Sequence, residues 1–469
     1  MVKQIIFKEI SILFKQQITF IYWALIIITF AISAVAFLYK NEYYIKQYSQ
    51  KTMENFQTTQ EKCSSFSDVI FHTQFALSPP SSLSFLIDNN EEKLPNAITY
   101  NYFVKGSLPY FASFRKRNDF SLSYSPLDWT FVIAIIVSFF CLLFSYSSFS
   151  GEKVTGTLRL TLSNNIARWK LFMCKYTAIL YVVFIPILFG MIISLIIFNT
   201  YSTLKLDIKE FYLLLLFLIV TMLFVSFNVL IGLISSVSFS KPILSLNFCI
   251  IVYVLFLAYP HIPYLFSKFM ISPPTVEEIV SQQRDLLDKV QNSEEYSLAW
   301  SDDWIGNPPN EELKKRIEGQ RLFMNFHTDL VNELNSDFKQ QTLFTINASK
   351  FSPYFLYQDI THKIADNNYC RLFHFEEQMT SFFSIYVDYL NDIDRKDPDS
   401  YHCIWPEGSA KYFMSSKKII IEELPFFKYS RPDIKDTIFS FKFELLFLVV
   451  INSIMLLIGI HLFNWYNIR

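Results

Sequence analysis

Charge is scarce in this sequence. Asp, Glu, Lys and Arg supply 18% of its 469 residues, against 52% hydrophobic residues, where soluble globular chains carry about 25% charge. That much apolar surface does not fit inside one water-facing core. The formal net charge of −1 provides no positive field of the kind that holds nucleic acid, so no nucleic-acid partner is expected. Glycine is scarce as well, nine residues against 50 Phe and 27 Tyr, and no Walker A loop is present. The nearest string, Gly151 to Gly156-Thr157, has the glycine spacing but lacks the Gly-Lys-Ser/Thr ending, so nothing cradles phosphate and magnesium. No G-x-S-x-G elbow and no H-E-x-x-H pair occurs. The six cysteines include no C-x-x-C pair, which excludes a zinc ribbon and a disulfide-dense scaffold. The expectation is a chain with no catalytic residues, no metal site and no cofactor of its own.

What is present is length in the hydrophobic runs. A membrane helix needs roughly 20 mostly apolar residues, and six stretches qualify: 18–39, 128–148, 176–198, 211–235, 242–260 and 441–463. The first five have charge-free interiors, and the sixth is free of charge from Leu445 to Phe463, with His461 near its end. The expected fold class is an all-α integral membrane protein: six transmembrane helices plus a mainly helical extracytoplasmic domain between helices five and six. Two long polar segments, 40–127 and 261–440, separate spans one from two and five from six; the other connections are short.

Lys and Arg in short loops set orientation. Lys3, Lys8 and Lys15 precede span one; Lys153, Arg159, Arg168, Lys170 and Lys175 follow span two; Lys241 follows span four and Arg469 ends the chain. The opposite short loop offers only Lys205 and Lys209, offset by Asp207 and Glu210. Both termini are therefore expected in the cytoplasm and both long segments outside. Ala34-Val35-Ala36 competes with this reading as a signal-peptide cleavage site, which would leave five spans. The leader, 1–17, reads as an amphipathic helix lying in the cytoplasmic interface, with Ile6, Ile10, Leu13 and Phe14 on one face and Lys3, Lys8, Ser11 and Lys15 favouring the other.

In the larger outer segment Thr275 and Glu278 form a capping box opening 275–292, and Asn310 caps a second helix with Ile317, Phe323, Phe326, Leu330, Leu334 and Phe338 at helical spacing. A third helix, 371–392, presents Phe375, Met379, Phe382, Phe383 and Tyr386. These stripes read as packing faces. The Ser/Pro/Asn-rich stretch 77–96 reads as loosely ordered. Cys370, His374, His402 and Cys403 leave open a zinc site, a Cys370–Cys403 disulfide, or neither. Asn228, Asn247 and Asn452 lie inside spans, where an amide should face other helices or a substrate path. Pro186 and Gly190 should kink or thin span three. No carboxylate or lysine is available inside the first five spans for a proton relay.

The loop 149–175 is the most informative segment. Glu152 is followed by Gly156-Thr157-Leu158, Arg159, Leu162-Ser163, Arg168 and then Lys175 at the start of a helix. In that order these residues resemble the cytoplasmic loop of type-2 ABC exporter permeases; Asn164-Asn165-Ile166-Ala167 departs from the family, which often has Pro there. The six-span layout with large outer segments, and Phe351-Ser352-Pro353-Tyr354 ahead of the aromatic helix, are similar to the branch of gliding-motility and copper-site-maturation ABC permeases. The resemblance implies a bacterial cytoplasmic-membrane permease that couples export or mechanical work to a separate ABC ATPase dimer. That partner would hold ATP and Mg, and a second permease copy or paralogue would complete the assembly, with an envelope protein as a further partner. It assigns ATPase coupling to Glu152, Gly156, Thr157, Leu158, Arg159, Leu162, Ser163, Arg168 and Lys175. Thr155 or Thr157 would cap a short helix and Gly156 would allow a tight turn. The alternative class is a membrane-anchored scaffold or receptor, which requires no ATPase.

Overall fold

The computed structural model describes residues 2–87, 96–102, 127–163, 166–201, 206–271, 336–400, 414, 415 and 417–466, with scattered positions over 277–288. Among these, six helices are long and apolar enough to cross a membrane. The chain opens with α1 (Val2–Phe14), and α2 (Gln17–Lys62) follows. α2 runs 23 residues past the apolar stretch ending at 39, because 40–62 contains no Gly or Pro. Its exposed surface carries an i,i+4 pair, Lys46 to Glu42 at 2.9 Å, of the kind that supports a solvated helix. α3 (Phe66–Phe71) begins at a capping box, Ser65 with Asp68. Strands β1 (Gln74–Leu77) and β2 (Ala97–Tyr100) pair antiparallel with Gln74 opposite Tyr100.

α4 (Trp129–Thr155) returns through the bundle, with π-helical geometry over Val132–Val137 and a turn at 146–149. α5 (Thr157–Ser163) is short. α6 (Arg168–Tyr201), α7 (Ile208–Ser238) and α8 (Pro242–Ala258) cross in alternation, and α9 (His261–Met270) continues from α8. After α10 (336–349) come α11 (Pro353–Ile364), α12 (Asn368–Arg395) and the last crossing, α13 (Ile434–Trp465).

α6 passes through Pro186 unbroken. Proline has no N–H for the carbonyl four residues back. That carbonyl, Val182 O, instead receives the indole N–H of Trp23 at 3.1 Å, and Tyr22 donates to Val183 O at 2.9 Å. The deficit in one helix thus becomes a bond to α2. Gly190 is needed for the same contact, since a Cβ there would lie 2.7 Å from a ring carbon of Phe30.

The bundle core is continuous from Leu13 in α1 to Phe463 in α13. A second core lies beyond it. Cys63, Phe66, Val69 and Ile70 pack with Ile98 and Tyr100 of the hairpin, with Phe375, Met379, Tyr386 and Leu390 of α12, and with Ile421, Leu424 and Tyr429. Described parts of the two long polar segments thus share one core: the buried amide of Gln74 donates to Tyr386 Oη at 3.2 Å, and Tyr102 Oη donates to Asn391 Oδ1 at 2.7 Å. The packing stripe expected on 371–392 is in place, with Phe375, Met379 and Tyr386 buried and Phe382 and Phe383 partly covered.

One expectation needs correction. The part of 77–96 that is described, 77–87, is ordered, because Leu83, Phe85, Leu86 and Ile87 are buried in the bundle core and Phe85 meets Trp129 edge-on at 4.8 Å. Thr130 also donates to Leu86 O at 2.7 Å. The two short strands lie in the first polar segment and leave the all-α class with six long apolar helices as expected. The caps expected at Thr275 and Asn310 and most of their helices lie outside the described residues, as do His402 and Cys403.

α11 does not stay in the distal domain. It inserts against α7, α8 and α13: Tyr357 stacks on Phe224 at 4.5 Å, in the middle of α7, and shares a hydrogen bond of 3.0 Å with Thr221. Ser352, which caps the first turn of α11, donates to Phe256 O at 2.7 Å near the end of α8. The Ser352-Pro353 pair thus starts a helix within the bundle, where proline at the first position leaves no N–H unsatisfied.

Candidate functional site

α4 ends in a hairpin that brings the singled-out loop residues together. The break at 146–149 frees backbone N–H groups, and two of them, on Phe149 and Ser150, donate to Ser236 Oγ of α7 at 2.8 and 3.0 Å. The last turns, Ser150–Thr155, stop at Gly156, whose φ of +74° is left-handed. That geometry suits glycine and strains any side chain. α5 then folds back. Thr155 turns its hydroxyl to Gly151 O at 3.2 Å and lies 2.8 Å from Thr157 Oγ, so Thr155 finishes the first helix rather than capping the second.

Lys175 is the centre of this end of the bundle. Its side chain is only 4% exposed, and its ammonium lies 2.8 Å from Glu152 Oε1 and 3.0 Å from Glu9 Oε2. A buried lysine needs such partners, because desolvating a lone ammonium costs several kcal/mol. The trio joins α1, the hairpin and α6. Phe149, Phe172 and Phe463 pack beneath it, Phe149 and Phe463 with centroids 4.5 Å apart.

Two further cations close helix ends. Arg168 donates to Asn464 O at 2.6 Å and to Tyr466 O at 2.9 Å, at the C-terminal end of α13. Lys153 donates to Val237 O and, at 3.2 Å, to Phe239 O at the end of α7, and its ammonium stands 4.2 Å above the Tyr466 ring. Both satisfy carbonyls that a helix terminus leaves open, where the helix dipole favours a cation.

The leucines of the hairpin divide between inward and outward positions. Leu158 is buried and Leu162 is packed against the bundle core, so both anchor α5. The outward apolar residues are Leu160, 70% exposed, and Val154, 64% exposed. Arg159 and Ser163 are exposed beside them, and the Arg159 side chain has no partner among the described residues. Phe7 of α1 is 75% exposed at the same end. Sequence reasoning missed Glu9, although it is the only acid in 1–17, and missed Leu160 and Val154, whose direction depends on the turn at Gly156.

The intramembrane amides divide. Asn452 of α13 donates to Leu223 O at 3.1 Å and accepts from Ser226, which meets Tyr176 Oη at 2.7 Å, so it binds three helices together. Asn228 donates to Phe224 O in its own helix and lines a small cleft with Ser138, Tyr253, Phe256 and Tyr354. Asn247 is exposed on α8 and meets no other helix among the described residues, because α8 turns its Ser245 and Cys249 side inward.

A second charged cluster was not foreseen at all. Glu444 of α13 accepts from Lys350 at 2.7 Å and from Lys363 at 2.9 Å, while Asp359 lies 3.1 Å from Lys363 and 3.7 Å from Lys350. His374, raised as a zinc ligand, instead meets Gln378 and Ser430 O. Among the described residues no three His, Cys, Asp or Glu side chains converge as metal ligands would.

Comparison with known proteins gives one family. The family model for ABC-2 family transporter proteins matches residues 5–361. No curated protein and no solved structure matches the chain.

Proposed function

Because this chain belongs to the ABC-2 family of transporter proteins, whose model takes in α1 to α11, we propose that it is the membrane-spanning permease of an ATP-driven exporter. A separate ABC ATPase docks on the α4/α5 hairpin. The observation that carries the proposal is the composition of the hairpin tip: Val154, Arg159, Leu160 and Ser163 face outward, while Glu152 and Lys175 fix the tip from beneath. An element meant to receive a push must be rigid behind and adhesive in front. The buried ion trio, the two carbonyl caps and the Phe149 cluster supply the rigidity. Exposed apolar side chains beside an arginine supply the contact.

In this reading α1, the hairpin and the turn at 239–241 face the cytoplasm, and the domain built from both polar segments lies outside the bacterial cytoplasmic membrane. That large outer domain supports membership of the branch similar to gliding-motility and copper-site-maturation permeases. Closure of the ATPase pair on ATP and Mg presses the hairpin, and Lys175 passes the displacement to α1 and α6. A second permease subunit completes the assembly, with Asn247 on the open face of α8 available to it. The substrate or mechanical load engages the distal domain or the bundle. A photoactivatable amino acid at position 160 tests the docking face: in native membranes it crosslinks to a Walker A protein, and the same label at buried Leu158 does not. Absence of such a product at 160, with the label confirmed in the membrane, rejects the assignment.

A further inference from the structure

α13 touches both unusual features of the molecule, the hairpin end and the inserted helix α11. Its C-terminal carbonyls are held by Arg168. About 36 Å away along the helix, at 1.5 Å per residue, it is bent at Phe441, whose φ of −125° and ψ of 15° are not helical. A kink of this kind releases backbone carbonyls from the helical ladder. Lys363 of α11 donates to a carbonyl at this bend, Ser440 O, at 3.1 Å. The same ammonium reaches Glu444 Oε1, one turn beyond the kink. Lys350, just before α11, reaches the same carboxylate oxygen, and Asp359 of α11 balances the second cation. Two lysines and two carboxylates thus pin both ends of α11 to the bend in α13, and the cluster sums to zero charge.

Resting on the permease reading, we propose that Lys350, Asp359, Lys363 and Glu444 form a releasable latch that holds α11 in the bundle by keeping α13 bent, and that α13 links this latch to the hairpin end of the bundle, where Arg168 at the start of α6 holds its last carbonyls. The physical argument is one of alternatives. In a straight α13 the carbonyl of Ser440 lines up with the N–H of Glu444 in its own helix, which competes with Lys363 for it. Straightening would also shift Glu444 relative to both lysines. The latched and straight states exchange one set of polar contacts for another, which makes a two-state element. Since α11 carries Tyr354 and Tyr357 against Phe224, release of the latch opens the middle of the bundle from the distal side. The four side chains are positioning residues in this scheme.

The test uses the full-length chain in lipid nanodiscs and needs no ATPase, so its failure is distinct from failure of the docking assignment. Hydrogen exchange is read by mass spectrometry over 353–364 and 438–446. Lys363→Met and Glu444→Gln are expected to raise exchange in both segments by about tenfold, while Lys363→Arg, which keeps the charge, leaves them protected. Arg168→Ala, at the far end, is expected to raise exchange at 438–446 as well. If Arg168→Ala alters exchange only around 464–466, α13 carries no motion and the link is wrong. If Glu444→Gln and Lys363→Met leave α11 as protected as the wild type, or loosen every helix alike, the latch is wrong.

Discussion

At the scale of single residues, Gly156 and Lys175 bear most of the weight of the hairpin. Gly156 has open space where a Cβ would go, so a substitution there is opposed by its left-handed backbone alone. Gly156→Ala should therefore destabilise by about 1–2 kcal/mol. Gly151→Ala, inside a helix with Ser147 Cβ at a comfortable 3.8 Å, should be neutral or stabilise by about 0.5–1 kcal/mol. Thermal unfolding of the two variants in one detergent distinguishes them. Lys175→Met leaves two carboxylates without their cation, and breaking a buried pair this way costs about 3–5 kcal/mol; the expected result is a marked fall in Tm, partly recovered when Glu9→Gln and Glu152→Gln are added. The turn at Gly156 was readable from the loop's residues, but the ion trio was not. Glu152 and Lys175 were visible as charges of opposite sign, but their meeting depends on how α4 stops and where α6 begins.

At the scale of elements, the sequence was most informative where one physical demand dominates. Hydrocarbon requires about 20 apolar residues per crossing, and all six crossings were legible for that reason. Their ends were not. α2 extends to Lys62 and α13 begins at Ile434, since helix propensity continues past the apolar stretch and hydropathy does not record it. The inserted helix α11 was invisible as a bundle element because its 12 residues are too short and too polar to signal a span. Proline offers a clean test at this scale. Trp23→Phe should cost about 1–3 kcal/mol by leaving Val182 O unsatisfied, but little when combined with Pro186→Ala, which restores the helical donor. A double-mutant cycle on Tm measures that coupling.

Acid should act on the distal domain as an element of its own. Asp68 is half-buried; burial raises its pKa, but the bonds it accepts from the backbone and hydroxyls of Ser65 and Ser64 together hold it below the usual carboxylate value. Asp397 is held down first by the Ser415 hydroxyl at 2.5 Å, and Lys417 adds to this. A carboxylate with a depressed folded pKa contributes stability above its unfolded pKa and loses it as pH falls through the folded value. The distal domain should therefore loosen below about pH 4. Proteolysis over 63–72 and 394–417 at pH 3 and pH 7 checks this, and Asp397→Asn should flatten the response near Ser415.

At the scale of the whole molecule, two long segments separated by four crossings share one core, so the distal domain assembles only after α12 meets α3 and the β-hairpin. At the opposite end, α1, the hairpin and the end of α13 are tied by ion pairs and carbonyl caps. We propose that this end receives an ATPase. The most direct test is purification from native membranes in a gentle detergent, with mass spectrometry of what remains bound, for the wild type and for Leu160→Asp. A Walker A protein is expected in stoichiometric amount with the wild type, and at least a tenfold loss with Leu160→Asp while the chain itself remains in the membrane. A wild-type preparation that holds only envelope proteins across several detergents would contradict it.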